Sequence, residues 1–101
     1  MNNNIQKEID AISQQIIQKY QPQKIILFGS YAKGDFRDGS DIDVAVIVDK
    51  IDGSFIESEA GLYKIRRNID ENIEPILFEE GNDRSGFLEN ILNYGEIVYQ
   101  R

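Results

Sequence analysis

Apolar side chains recur every three or four residues at the start of this chain, at Ile5, Ile9, Ile12, Ile16 and Tyr20, with Gln, Lys, Glu and Asp between them. That spacing predicts an amphipathic helix from about residue 4 to 19, with its apolar stripe turned to the core. Gln21-Pro22 ends it, because proline disfavours helical backbone in the residue before it. Lys24 to Phe28 is a short apolar run of strand type, and Ser30 to Lys33 begins a short helix after a turn at Gly29. Asp41 to Val48 reads as a second strand, followed by a turn over 49–54 and a helix over about 55–68 with Phe55, Leu62, Ile65 and Ile69 facing the core. Ile73 to Phe78 is a third strand, closed by the turn Glu79-Glu80-Gly81-Asn82. Phe87, Leu88, Ile91 and Leu92 predict a further long helix, with Gly95 in the C-terminal glycine position. Ile97 to Tyr99 adds a short edge strand. Alternating helices and strands imply an α/β (α+β) fold, a small mixed β-sheet flanked by helices. With no repeat, linker or low-complexity segment in view, residues 1–101 are expected to form a single domain.

Composition narrows the functional classes. At 101 residues the chain has little to spare for an appended substrate domain. It has no cysteine and no histidine, which removes disulfides, thiolate or histidine metal sites and the commonest general base. Eleven basic against 18 acidic residues give a net charge of −7, so nucleic acid is not expected as the main partner. The acidic surface suits either a basic protein partner or simple solubility. No apolar run reaches membrane-spanning length and the N-terminus lacks a basic-then-apolar signal pattern. A cytoplasmic protein is the expectation, and a homo-oligomer stays open.

The chemistry is concentrated in Leu27-Phe28-Gly29-Ser30-Tyr31-Ala32-Lys33-Gly34-Asp35-Phe36-Arg37-Asp38-Gly39-Ser40-Asp41-Ile42-Asp43-Val44-Ala45-Val46. An apolar strand ends in Gly-Ser, a polar link follows, and a second strand opens with aspartates at alternate positions. Residues i and i+2 of a strand share a face, so Asp41 and Asp43 project together while Ile42, Val44, Val46 and Val48 take the other side. Two adjacent carboxylates repel each other unless a cation lies between them, and hard oxygen ligands suit Mg²⁺. Gly29 allows a sharp turn and a close backbone approach. Alone, Gly29-Ser30 could be an ordinary turn with Ser30 capping a helix, and Asp-Ile-Asp a polar lead-in to a strand. Ser40 reads as a turn residue supporting the aspartates, and Arg37 as a surface residue.

Gly-Ser, ten residues, then Asp-x-Asp resembles the signature of the DNA polymerase β-like nucleotidyltransferase superfamily. The compact form here looks most like its minimal branch, the MNT-type nucleotidyltransferases that act as antitoxins to HEPN-type ribonuclease toxins. The resemblance spans the chain in length and element order, with residues 27–48 carrying its specific content. It implies transfer of AMP from ATP to a hydroxyl, a tyrosine of the toxin, with two Mg²⁺ ions. Asp41 and Asp43 would be catalytic metal ligands. Gly29 and Ser30 would cradle the triphosphate, and Lys33 would either contact it as a point charge or be solvated. The third carboxylate of the family maps to Glu74, with Asp70 as runner-up. Glu74 follows Ile73 and precedes Pro75, and is either a metal ligand and base or an ordinary exposed glutamate. A second reading is a binding module that neutralises its partner by occlusion without catalysis. Transfer to an antibiotic hydroxyl is disfavoured by the missing acceptor domain.

Overall fold

The N-terminal stripe packs as its spacing predicts. In a computed structural model describing residues 3–37, 39–82 and 86–101, helix α1 (Asn3–Tyr20) turns Ile9, Ile12 and Ile16 fully inward. It stops at Gln21, which leaves the helix with a positive φ of 49°, and Pro22, lacking an N–H, cannot continue it. Strand β1 (Lys24–Phe28) follows, then the short helix α2 (Gly29–Lys33), β2 (Ile42–Val48), α3 (Phe55–Arg67), β3 (Ile73–Glu79), α4 (Phe87–Tyr94) and β4 (Glu96–Gln100). Asp38, in the link between α2 and β2, lies outside the described residues.

The four strands lie in the order β3-β2-β1-β4. β1 runs antiparallel to both β2 and β4, whereas β2 and β3 are parallel and joined through α3, as a parallel pair requires. The sheet is therefore mixed. Pro75 sits on the edge strand β3, where its missing N–H need not break a central ladder.

Alternation along the strands divides the core in two. Ile25, Leu27, Ile42, Val44, Val46, Ile73 and Leu77 pack under α1 and α3 with Leu62 and Ile65. Ile26, Phe28, Ala45 and Ile47 occupy the opposite face with Leu88 and Ile91 of α4. Ser54 caps α3 by accepting from the Glu57 N–H.

Three expectations need correction. Phe55 is 46% exposed, because it is the first residue of α3 and precedes the turns that meet the sheet. The last helix is only eight residues, burying Leu88 and Ile91 while Phe87 and Leu92 stay largely exposed. Gly95 stands at the C-cap of α4 as expected, but with extended rather than left-handed backbone, its φ and ψ being −67° and 158°. It is needed for space instead, since a Cβ there would fall 2.6 Å from both Ile26 Cγ2 and the Ile91 carbonyl. The missing side chain lets the end of α4 press onto β1.

Candidate active site

The site lies where β1 ends and β2 begins, on the α4 side of the sheet. Register aligns Phe28 with Asp43 and Asp43 with Glu74, so these three residues form a row across β1, β2 and β3. Asp43 is part-buried, and Asp41, just before β2, is exposed. Gly29 follows Phe28 with φ of 71°, a conformation that glycine adopts without penalty. A Cβ on Gly29 would stand 2.0 Å from Asp43 Oδ2, so the carboxylate rests directly against the glycine backbone. Here the two halves of the motif, separated in sequence by the polar link, come into contact.

Ser30 lies in the first turn of α2 but is not its cap, which is Phe28. Its carbonyl accepts from Asp35 N–H at 2.9 Å, closing the turn after the helix. Ser40 supports the aspartates locally: its Oγ accepts from Arg37 N–H at 2.8 Å and its own N–H returns to the Arg37 carbonyl at 2.9 Å. The Ile42 N–H donates to the Asn72 carbonyl at 2.8 Å, tying the start of β2 to the segment leading into β3.

Burial raises the pKa of the Asp43 carboxyl above the usual carboxylate range, with the negative charges of Asp41 and then Glu74 adding to it. All three acids therefore share one electrostatic environment. Among the described residues, however, no three acidic side chains are gathered closely enough to hold a metal ion by themselves. Glu74 is turned toward α3, with Oε2 3.5 Å from the Tyr63 hydroxyl and Oε1 3.8 Å from Arg66 Nη1. Asp70 faces elsewhere: its Oδ1 accepts from Asn72 N–H at 2.8 Å, and it neighbours Glu8 of α1. A Mg²⁺ ion commonly takes one or two protein carboxylates and completes its octahedron with water and substrate phosphate oxygens. The Asp41–Asp43 pair fits that pattern without a third acid in place.

Three side chains at this site escaped the sequence reading. Tyr63 and Arg66 hold Glu74, with the guanidinium 4.7 Å from the Tyr63 ring centroid. Arg66 also donates to the carbonyls of Glu71 and Ile73, bracing the start of β3. Tyr94, the last residue of α4, accepts a 3.2 Å hydrogen bond from the Gly29 N–H. Its ring carries the ammonium of the exposed Lys33 4.7 Å from the centroid. Nothing local marks these residues, because each contact is made between separate elements.

The chain belongs to the polymerase beta nucleotidyltransferase family, whose profile matches residues 11–101. It is 33% identical over 76 residues to "Putative protein adenylyltransferase MJ0141" of Methanocaldococcus jannaschii, covering 71% of this chain and 74% of that protein. A second protein of that organism, "Putative protein adenylyltransferase MJ0604", is 44% identical over 48 residues, covering 46% of this chain and 48% of the relative. Two solved structures share the fold. One is a "putative nucleotidyltransferase" from Sulfolobus solfataricus, with a TM-score of 0.61 and 20% identity, covering all of this chain and 90% of the other. The second is a toxin-antitoxin structure with AMP-PNP, with a TM-score of 0.67 and 24% identity over 99% of this chain and 75% of that one.

Proposed function

We propose that this nucleotidyltransferase moves AMP from ATP to a tyrosine hydroxyl of a partner protein, a HEPN-type toxin, and so acts as its antitoxin. The observation that carries the reading is the contact of Asp43 with the Gly29 backbone, which brings the two halves of the motif together. Protein adenylyl transfer is the activity named for both M. jannaschii relatives, and a solved structure of this fold is of a toxin-antitoxin with AMP-PNP.

In this reading Asp41 and Asp43 hold Mg²⁺, which when bound offsets the charge of the triphosphate and of the leaving pyrophosphate. Gly29 and Ser30 receive the β- and γ-phosphates, with Lys33 supplying a positive charge beside them. The acceptor oxygen attacks the α-phosphorus, the bond to the β-phosphate oxygen breaks, and pyrophosphate leaves. In the same reading Glu74, which is in register with Asp43, leaves Tyr63 and Arg66 and takes the acceptor's proton. The partner supplies the acceptor side.

Glu74's engagement with Tyr63 and Arg66 favours the second reading, neutralisation by occlusion with little catalysis. The Asp41→Asn/Asp43→Asn double variant separates the two. Coexpressed with the toxin, it should fail to protect cells and leave the toxin tyrosine unmodified by mass spectrometry. Full protection by the double variant would establish occlusion.

A further inference from the structure

The Tyr94 hydroxyl touches a group that the proposed phosphate site also needs. Its oxygen accepts from the Gly29 N–H at 3.2 Å, and its ring lies beneath the Lys33 ammonium. Both contacts are to motif residues, yet Tyr94 comes from α4, 65 positions from Gly29 in sequence. The placement is firmly built. Gly95, immediately after Tyr94, lies so close to Ile26 and the Leu27 carbonyl that no side chain would fit there. The end of α4 is thus fixed against the last residues of β1, which lead into Gly29.

A phenolic hydroxyl can accept and donate at once. Here the acceptor side is taken by Gly29, and among the described residues its own proton has no acceptor. The ring meanwhile holds Lys33 beside the turn by a cation–π contact. We infer that Tyr94 is a nucleotide-binding residue: its hydroxyl donates to a β- or γ-phosphate oxygen, and its ring positions Lys33 for the same group. The inference rests on the nucleotidyltransferase site proposed above, and it adds to that site an α4 residue outside the Gly-Ser and Asp-x-Asp signature.

The test is calorimetric binding of AMP-PNP and of AMP, each with Mg²⁺, to the full chain and to its Tyr94→Phe and Tyr94→Leu variants. Tyr94→Phe keeps the ring and should weaken AMP-PNP about tenfold, the scale of one hydrogen bond to a charged group. AMP binding should change little, because AMP lacks the β- and γ-phosphates. Tyr94→Leu also removes the Lys33 contact and should weaken AMP-PNP further. Equal weakening of AMP and AMP-PNP by Tyr94→Phe would make Tyr94 purely structural and overturn the inference. Unchanged or tighter AMP-PNP binding would overturn it too, since the hydroxyl would then be idle or obstructive. If the wild-type chain binds no AMP-PNP with Mg²⁺, the nucleotidyltransferase reading falls first and this one with it.

Discussion

Isoleucine, valine and leucine fill the sheet face beneath α1 and α3, whereas the face beneath α4 gives way at one end to carboxylates and tyrosines. Among the described residues, thirteen buried apolar side chains form the first layer and six the second. The difference follows from helix length. α1 and α3 have 18 and 13 residues and cover their face, while α4 has eight and leaves the head of β2 uncovered. Asp43 shares the α4 face with Ala45 and Ile47, so the same alternation that buries those residues delivers a carboxylate to the open end. Stability is concentrated on one face, and the polar groups gather where the other runs out of cover.

Core truncation should expose this asymmetry most visibly. Leu62→Ala, on the inner face of α3 and fully buried, should cost about 2–5 kcal/mol in urea denaturation. Leu88→Ala, on the thinner α4 layer and 8% exposed, should cost less, because the short helix can settle into the space. Equal losses would show that the two faces bear the fold alike. Gly29→Ala should act chiefly on the open end. The left-handed backbone costs an alanine about 1–2 kcal/mol, and the new methyl displaces Asp43. Transfer should fall by more than about tenfold while the protein stays folded at room temperature, as circular dichroism would show.

The smallest effect sharpens the comparison at the margin of the covered face. Glu8 of α1 lies beside Asp70, and its Oε2 is buried without a hydrogen-bond partner. Two ionised carboxylates offer each other no donor, so a shared proton is favoured. The hydrogen bond to Asp70 that protonation permits, then burial, then the Asp70 charge raise the Glu8 pKa to about 7 from 4.5. A pKa raised in the folded state stabilises the fold at low pH, and that contribution is lost as pH rises through the folded value. Stability should therefore decline between about pH 4.5 and 7, and Glu8→Gln should flatten the decline in melting temperature measured across that window. A slope unchanged by Glu8→Gln would assign the pH dependence to other groups.

The element order was legible because helix and strand periodicities barely overlap in this chain, and Asp41 and Asp43 were legible as a pair because strand alternation alone puts them on one face. Glu74 was named only through the family resemblance, and its alignment with Asp43 was not legible, since register between strands depends on the fold. Phe55 was misread because periodicity continues to the end of a helix whether or not a neighbour extends that far. Gly95 was legible as the end of α4, but its need for space against β1 was not, because sequence does not display that contact. Tyr63, Arg66 and Tyr94 were invisible for the same reason: their meaning comes from what they touch, and those contacts join separate elements.

The most direct test of the account is to incubate the chain with Mg²⁺, its toxin partner and ATP labelled at either the α- or the γ-phosphate. Label from α-labelled ATP should appear on the partner and γ label should leave as pyrophosphate, both lost in the Asp41→Asn/Asp43→Asn variant. Transfer of γ label, or α label that persists without the two aspartates, would contradict a nucleotidyltransferase built on the Gly29–Asp43 contact.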